Sequence, residues 1–191
     1  MNSSASFVKS LLAQCCLGGI CEWVVCPGAR NMALLQVLAA AEDLVKWTHF
    51  DERSAAFFAL GRIQDMGLPV AVVTTSGTAA ADLLPAVVEA YYQRRPLLLL
   101  TAQADLFGIY APTIDLETPE SLPEDILQDW DYASPLHINV CLPDPDPAWN
   151  PGSCDLYPAE PPEENGFRGS LAELARVLRF KSRDGLVVMW S

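Results

Sequence analysis

A chain of 191 residues, 51% of them apolar, is long enough to build the core of one α/β domain and marks a globular protein. Twelve lysines and arginines against 24 aspartates and glutamates leave a net charge of −12, which repels phosphate backbones and anionic bilayers and excludes nucleic acid and membrane surfaces as partners. The charge is uneven: no lysine or arginine falls between Arg95 and Arg168, while aspartate and glutamate recur from Asp105 to Glu164.

The first expected element is a helix over 6–17, ended by Gly18-Gly19 in the manner of a left-handed cap. The apolar stretch from Leu11 to Cys26 is interrupted by Gln14, Gly18-Gly19 and Glu22, so it falls short of the roughly 20 residues that cross a bilayer. Lys9 is its only early positive charge, a poor start for a signal peptide, and the chain reads as cytoplasmic. Strands then alternate with helices: a strand over 22–26, a helix over 32–42, a strand over 45–50 and a helix over 52–64 capped by Asp51. A strand over 69–74, a helix over 78–93 and a strand over 97–102 follow. Val70-Ala71-Val72-Val73 and Leu97-Leu98-Leu99-Leu100 lack polar alternation, as parallel strands covered on both faces do. The alternation predicts a three-layer α/β/α fold around a six-stranded, mainly parallel, doubly wound sheet.

The last two strands are expected over 113–116 and 136–141, with an acidic helix over 120–130 between them. Residues 1–141 form the predicted domain. From Leu142 to Asn165 the chain carries seven prolines and no apolar periodicity, so 142–168 reads as an acidic linker. A helix over 170–180 and a strand over 186–190 follow, and 169–191 reads as the start of a further, truncated domain. The six cysteines form no Cys-x-x-Cys pair, and Cys15 and Cys16 point about 100° apart on a helix, so buried reduced thiols are expected and no metal site.

Three segments stand at carboxyl ends of predicted strands, the edge where open α/β sheets bind ligands. Glu52, in His49-Phe50-Asp51-Glu52-Arg53-Ser54, opens a helix, where a solvated carboxylate favoured by the helix dipole is the ordinary occupant. Cys26-Pro27-Gly28-Ala29-Arg30-Asn31 makes a tight turn with an exposed arginine. Thr75-Ser76-Gly77-Thr78 is a hydroxyl-rich loop expected to cap its helix through Thr78 or Ser76. No dinucleotide glycine fingerprint, no Gly-x-x-x-x-Gly-Lys-Ser/Thr and no Gly-x-Ser-x-Gly occurs.

Together with Leu84-Pro85-Ala86-Val87-Val88-Glu89-Ala90-Tyr91-Tyr92, these segments closely resemble the N-terminal, pyrimidine-binding domain of thiamine-diphosphate enzymes, densely from Val24 to Thr101. Among these the chain looks most like the menaquinone-pathway synthases of 2-succinyl-5-enolpyruvyl-6-hydroxy-3-cyclohexene-1-carboxylate. The resemblance implies that Glu52 hydrogen-bonds N1′ of the cofactor's aminopyrimidine and promotes the tautomer that removes the thiazolium C2 proton. It places Pro27, Gly28, Thr75, Ser76 and Gly77 beside thiamine diphosphate and Arg30 on a substrate carboxylate. It further implies small anionic substrates (2-oxoglutarate and isochorismate), and Mg2+ and diphosphate ligands outside this chain. The partner would be the diphosphate-binding domain of a second subunit, in a homodimer or homotetramer, and 169–191 would open the central domain.

The chain departs from that pattern at defined places. The synthase turn Pro-Gly-Ser-Arg-Ser is here Pro27-Gly28-Ala29-Arg30-Asn31, which removes one hydroxyl and turns the other into an amide. After the fourth strand, Asp-Arg-Pro and Asn-Gln-Ala-Ile give way to Thr101-Ala102-Gln103-Ala104-Asp105 and a short passage to Thr113, so the family's second arginine and its glutamine are missing. Another thiamine-diphosphate lyase or decarboxylase, or a non-catalytic domain of the same fold, are the alternative readings. On any of them this chain alone is expected to be inactive.

Overall fold

The computed structural model describes residues 3–102, 106–142, 151, 152, 154 and 156. Six strands, β1 (Glu22–Val25), β2 (Val45–Thr48), β3 (Val70–Val73), β4 (Leu97–Ala102), β5 (Thr113–Leu116) and β6 (Leu136–Val140), pair in the order β2-β1-β3-β4-β6-β5. Every pairing is parallel. The register sets Val25, Thr48, Val73 and Leu100 level with one another, so the residues that follow them emerge along one carboxyl edge.

Alternate strand residues divide between two cores. Trp23, Val25, Ala71, Val73, Leu98 and Leu100 pack under α1 (Ser3–Leu17) and α2 (Met32–Ala40). Val24, Cys26, Val70, Val72, Leu97 and Leu99 pack under α3 (Glu52–Met66) and α5 (Leu84–Gln93), which the short α4 (Thr78–Asp82) precedes. The chain runs from β1 to the β2 edge through α2 on one face, then returns past β1 to β3 through α3 on the other. That reversal makes the β1–β3 junction a topological switch point, where neighbouring loops leave for opposite faces and open a crevice.

Local chemistry sets the element ends. Gly19, at φ 90°, closes α1 with two nested bonds, from its N–H to Cys16 O and from Ile20 N–H to Cys15 O. Asp51 caps α3 by accepting the Ser54 N–H at 2.7 Å, and left-handed Gly67 ends it. On edge strand β2, Lys46 Nζ reaches back to the Leu38 and Ala41 carbonyls at the end of α2, where a cation is favoured. At the amino edge of the sheet Arg62 of α3 clasps the buried Glu22 with two bonds, Nη2 to Oε1 at 2.6 Å and Nε to Oε2 at 2.9 Å. Trp47 Nε1 adds a third bond to Oε2 at 3.1 Å, and the Arg62 hydrogen bonds in particular hold the Glu22 carboxyl below its usual range.

Three expectations are corrected. The helix predicted over 78–93 is two helices, because Pro85 stands in the first turn of α5 without an N–H to continue the ladder. No α-helix forms over 120–130: a 3₁₀ turn (Pro119–Ser121) ends at Leu122, which Pro123 drives to an extended ψ of 116°. Gln14 of α1 then takes the backbone groups that such a helix would have paired, donating to Pro123 O and accepting from Ile126 N–H, both at 2.8 Å. Among the described cysteines Cys15, Cys16, Cys26 and Cys154 are buried and reduced, but Cys21 is half-buried and Cys141 exposed. Leu142, Cys154 and Leu156 pack into the α1–α2 core, so these described residues of the proline-rich stretch stay on the domain. The helix expected over 170–180 and the strand over 186–190 lie outside the described residues.

His137 of β6 is fully buried between two hydroxyls, Thr101 Oγ1 at 2.7 Å from Nε2 and Thr113 Oγ1 at 3.0 Å from Nδ1, with Phe107 edge-on at 4.7 Å. A neutral imidazole offers one donor and one acceptor, which two hydroxyls satisfy. Burial lowers its pKa from 6.5 to about 4. Above pH 6.5 the ring is neutral in both folded and unfolded chain. As pH falls from 6.5 towards 4 only the unfolded chain takes the proton, so stability is lost across that window, by about 3 kcal/mol in all. Urea unfolding at pH 7, 5 and 4 checks this: His137→Asn is expected to be weaker at pH 7 but to lose less between pH 7 and 4 than the parent.

Candidate functional site

The crevice at the switch point is lined by the loops that follow β1, β2 and β3. Each continues the sheet by one backbone bond before departing: Cys26 N–H to Val73 O at 2.8 Å, His49 N–H to Val25 O at 2.9 Å and Thr74 N–H to Leu100 O at 3.0 Å. Beyond those bonds the first and third loops touch. An added Cβ on Gly28 would lie 2.6 Å from Thr75 Cβ and 2.7 Å from its Cγ2, so only glycine lets the first loop sit this close against the Thr75 side chain.

Glu52 opens α3 and is half-buried beside the third loop. Its Oε1 accepts from the hydroxyl of the fully buried Thr74 at 3.5 Å, while Oε2 has no hydrogen-bond partner among the described residues. Cys26 lies on the same side of β1, its thiol pushed up to about 12 by burial and then by the charges of Glu52 and Asp51. It stays protonated at neutral pH and forms an uncharged floor rather than a nucleophile. Asp51 is fully exposed, and its carboxyl is held below the usual range by the hydrogen bonds from Ser54. The neighbouring carboxylates therefore have separate tasks: Asp51 caps the helix, and Glu52 keeps one oxygen open.

In the first loop Pro27, Ala29 and Arg30 are exposed, and Gly28 is half-buried. Asn31 is turned inward and fully buried. Its Oδ1 accepts the Gly28 N–H and its Nδ2 donates to the Cys26 carbonyl, both at 2.9 Å. In the third loop Thr75 and Ser76 are half-buried and Gly77 is exposed at φ 69°. The cap expected from Thr78 or Ser76 does not form: Gly77 is the N-cap of α4 and no side chain bonds there.

The fold thus brings Glu52, Gly28 and Thr75 to one crevice, with Pro27, Arg30, Ser76 and Gly77 on its flanking loops. Sequence reasoning missed Thr74, Cys26 and the inward turn of Asn31. The signal for Thr74 was a hydroxyl ending an otherwise apolar strand, and for Asn31 an amide where a helix begins. An aminopyrimidine fits this site, since a half-buried carboxylate with an oxygen that no described residue hydrogen-bonds can share a proton with a ring nitrogen. Among the described residues no group of histidine, cysteine or carboxylate side chains could hold a metal ion.

Comparison with known proteins identifies the family. Residues 8–114 match the profile of the thiamine pyrophosphate enzyme, N-terminal TPP binding domain. A 2-succinyl-5-enolpyruvyl-6-hydroxy-3-cyclohexene-1-carboxylate synthase from Akkermansia muciniphila is 90% identical over 205 aligned residues, covering 99% of this chain and 38% of the relative. That alignment is longer than the 191-residue chain, so the relative has residues with no counterpart here. Synthases of the same name from Geobacillus thermodenitrificans and Halobacterium salinarum are 39% and 46% identical, over 74% and 53% of the chain and 28% and 17% of their own lengths. The chain thus spans well under half of these relatives. A crystal structure described as a thiamin diphosphate-dependent enzyme from Mycobacterium smegmatis superposes with a TM-score of 0.60 at 19% identity, over 92% of this chain and 36% of that one, a likeness that bears on the fold alone. The chain belongs to the thiamine pyrophosphate enzyme family, as its N-terminal TPP binding domain.

Proposed function

We propose that this chain is the pyrimidine-activating part of a thiamine-diphosphate-dependent synthase that decarboxylates 2-oxoglutarate and adds the product to isochorismate in menaquinone biosynthesis. The observation that carries the reading is the Glu52 carboxylate, half-buried at the switch point, with one oxygen 3.5 Å from the Thr74 hydroxyl and no hydrogen-bond partner for the other among the described residues. The choice of synthase rests on the relatives' names, above all the one 90% identical over 99% of the chain. When bound, thiamine diphosphate supplies a carbanion-stabilising thiazolium. Glu52 would share a proton with its pyrimidine N1′, the Gly28 backbone packed against the Thr75 side chain would wall the ring, and the neutral Cys26 thiol would keep a second charge away from Glu52.

On this reading residues 1–141 are the pyrimidine-binding domain, 142–168 a linker that begins along the domain surface, where Leu142, Cys154 and Leu156 pack, and 169–191 the start of the central domain. Mg2+ and the diphosphate would be held by sequence that the longer relatives have and this chain lacks, in the diphosphate-binding domain of a second subunit of a cytoplasmic homodimer or homotetramer. Phe50 supports such a cover: it is 98% exposed immediately before Asp51 and Glu52, a large apolar surface at the rim of the crevice. The short passage between β4 and β5 supports altered acceptor recognition, with Arg30 left to meet a substrate carboxylate.

In a complete enzyme carrying this chain, Glu52→Gln is expected to slow C2 proton exchange of bound thiamine diphosphate by about 10²-fold or more, measured as deuterium loss by NMR. Exchange at the parent rate would remove Glu52 from its role. The 191-residue chain by itself is expected to bind thiamine diphosphate with Mg2+ more weakly than about 1 μM, or −8 kcal/mol, because the charged end of the cofactor has no ligands here. Titration calorimetry decides this, and submicromolar binding would mean that the site is complete within the chain.

A further inference from the structure

We infer that Asn31 is a positioning residue: its side-chain amide folds the turn 27–30 and so sets the direction in which Arg30 leaves it. Asn31 stands at the N-cap of α2, where an asparagine oxygen ordinarily accepts from the first turn of its helix. It makes no such bond. Both polar ends of the buried amide go back to the preceding turn instead, one to the Gly28 N–H and the other to the Cys26 carbonyl, at 2.9 Å each. Forgoing a cap costs a helix about 1 kcal/mol, so the turn receives interactions that α2 gives up.

The turn so held is short of alternatives. Cys26 is anchored to β3 through its own N–H, and Gly28 lies against Thr75 with no room for one further carbon. With Cys26 fixed behind it and Thr75 fixed beside it, the bond from Gly28 N–H to Asn31, together with the longer one from Met32 N–H to Ala29 O at 3.3 Å, sets how the peptides of Ala29 and Arg30 rise from the crevice. A hydroxyl offers a single atom for both partners. The amide offers a separate donor and acceptor at fixed spacing, which makes the turn stiffer. An aspartate would keep the acceptor for Gly28 but set a carboxylate against the Cys26 carbonyl, and an alanine would leave both backbone groups unpaired in a buried place.

The consequence for catalysis rests on the proposed synthase reading, in which Arg30 meets a carboxylate of the acceptor. Bidentate recognition by a guanidinium depends on its approach direction, so a loosened turn weakens acceptor binding without touching the Glu52 side of the crevice. In a complete enzyme carrying this chain, Asn31→Ala and Asn31→Asp are expected to raise KM for isochorismate roughly tenfold while C2 proton exchange stays within about twofold. In an Arg30→Ala background the same changes are expected to add nothing further to KM. Additive effects, or equal losses in KM and in C2 exchange, would overturn the inference. Should Arg30→Ala itself leave KM unchanged, the substrate reading fails, and the turn is then decided by amide hydrogen exchange in the 191-residue chain. Asn31→Ala is expected to speed exchange of the Gly28 amide at least roughly tenfold while the Ser54 amide, held by Asp51, keeps its rate. An unchanged Gly28 rate would show that Asn31 does not hold the turn.

Discussion

No carbon fits between Gly28 and Thr75, and most of the candidate site follows from that contact. The β1–β3 junction is where a doubly wound sheet reverses direction, so its two loops depart for opposite faces and tend to leave a wide cleft. Glycine on one side lets the loops close on each other and narrows the cleft to a crevice. Thr74, one residue before the contact, then reaches Glu52, and the turn that carries Arg30 stands on the other flank. A side chain at position 28 would separate the loops and pull these groups apart. The contact therefore couples the fit of Gly28 against the Thr75 side chain to the relative placement of the Glu52 carboxylate and the turn that carries Arg30.

Helix α3 transmits a second constraint across the sheet. Arg62 clasps Glu22 at the amino edge while Glu52 stands at the carboxyl edge, one at each end of the same helix. Breaking a buried charge pair by removing one partner leaves the other uncompensated, which costs far more than the pair contributes net. The value of Glu22–Arg62 thus lies in fixing where α3 sits along the sheet. The left-handed Gly67 and the Asp51 cap stop the helix from lengthening at either end, so Glu52 is held in its first turn.

Features decided by neighbouring residues were legible in the sequence. The unbroken apolar runs of β3 and β4 announced strands covered on both faces, and Asp51 before an apolar-periodic segment announced the start of α3 at Glu52. Features decided by distant partners were not. The acidic segment after Ser121 has helical composition, but Pro123 and the side chain of Gln14, more than a hundred residues away, settle its backbone otherwise. Pro85 lies inside the helix expected over 78–93, and its missing N–H divides α4 from α5. Asn31 was read only as an amide in place of a synthase serine, because only the fold shows that its amide points back into the turn.

Electrostatics limits what these residues can do by themselves. The chain carries a net charge of −12, and in the loops around the crevice the cations stand at the rim: Arg30 on the first loop and Arg53 at the start of α3, the latter 3.4 Å from Asp82. Glu52 and Asp51 face the same region and add to burial, the larger cause, in raising the pKa of the Cys26 thiol. A diphosphate and a dicarboxylate brought to such a surface would meet repulsion that one exposed arginine offsets only in part, since exposed pairs contribute at most about 1 kcal/mol. The pyrimidine end of a cofactor is uncharged, and it is the end these loops suit. Positive charge for the anionic groups has to come from elsewhere, and a covering domain that buries Phe50 would also exclude water and strengthen each remaining interaction, including that of Arg30.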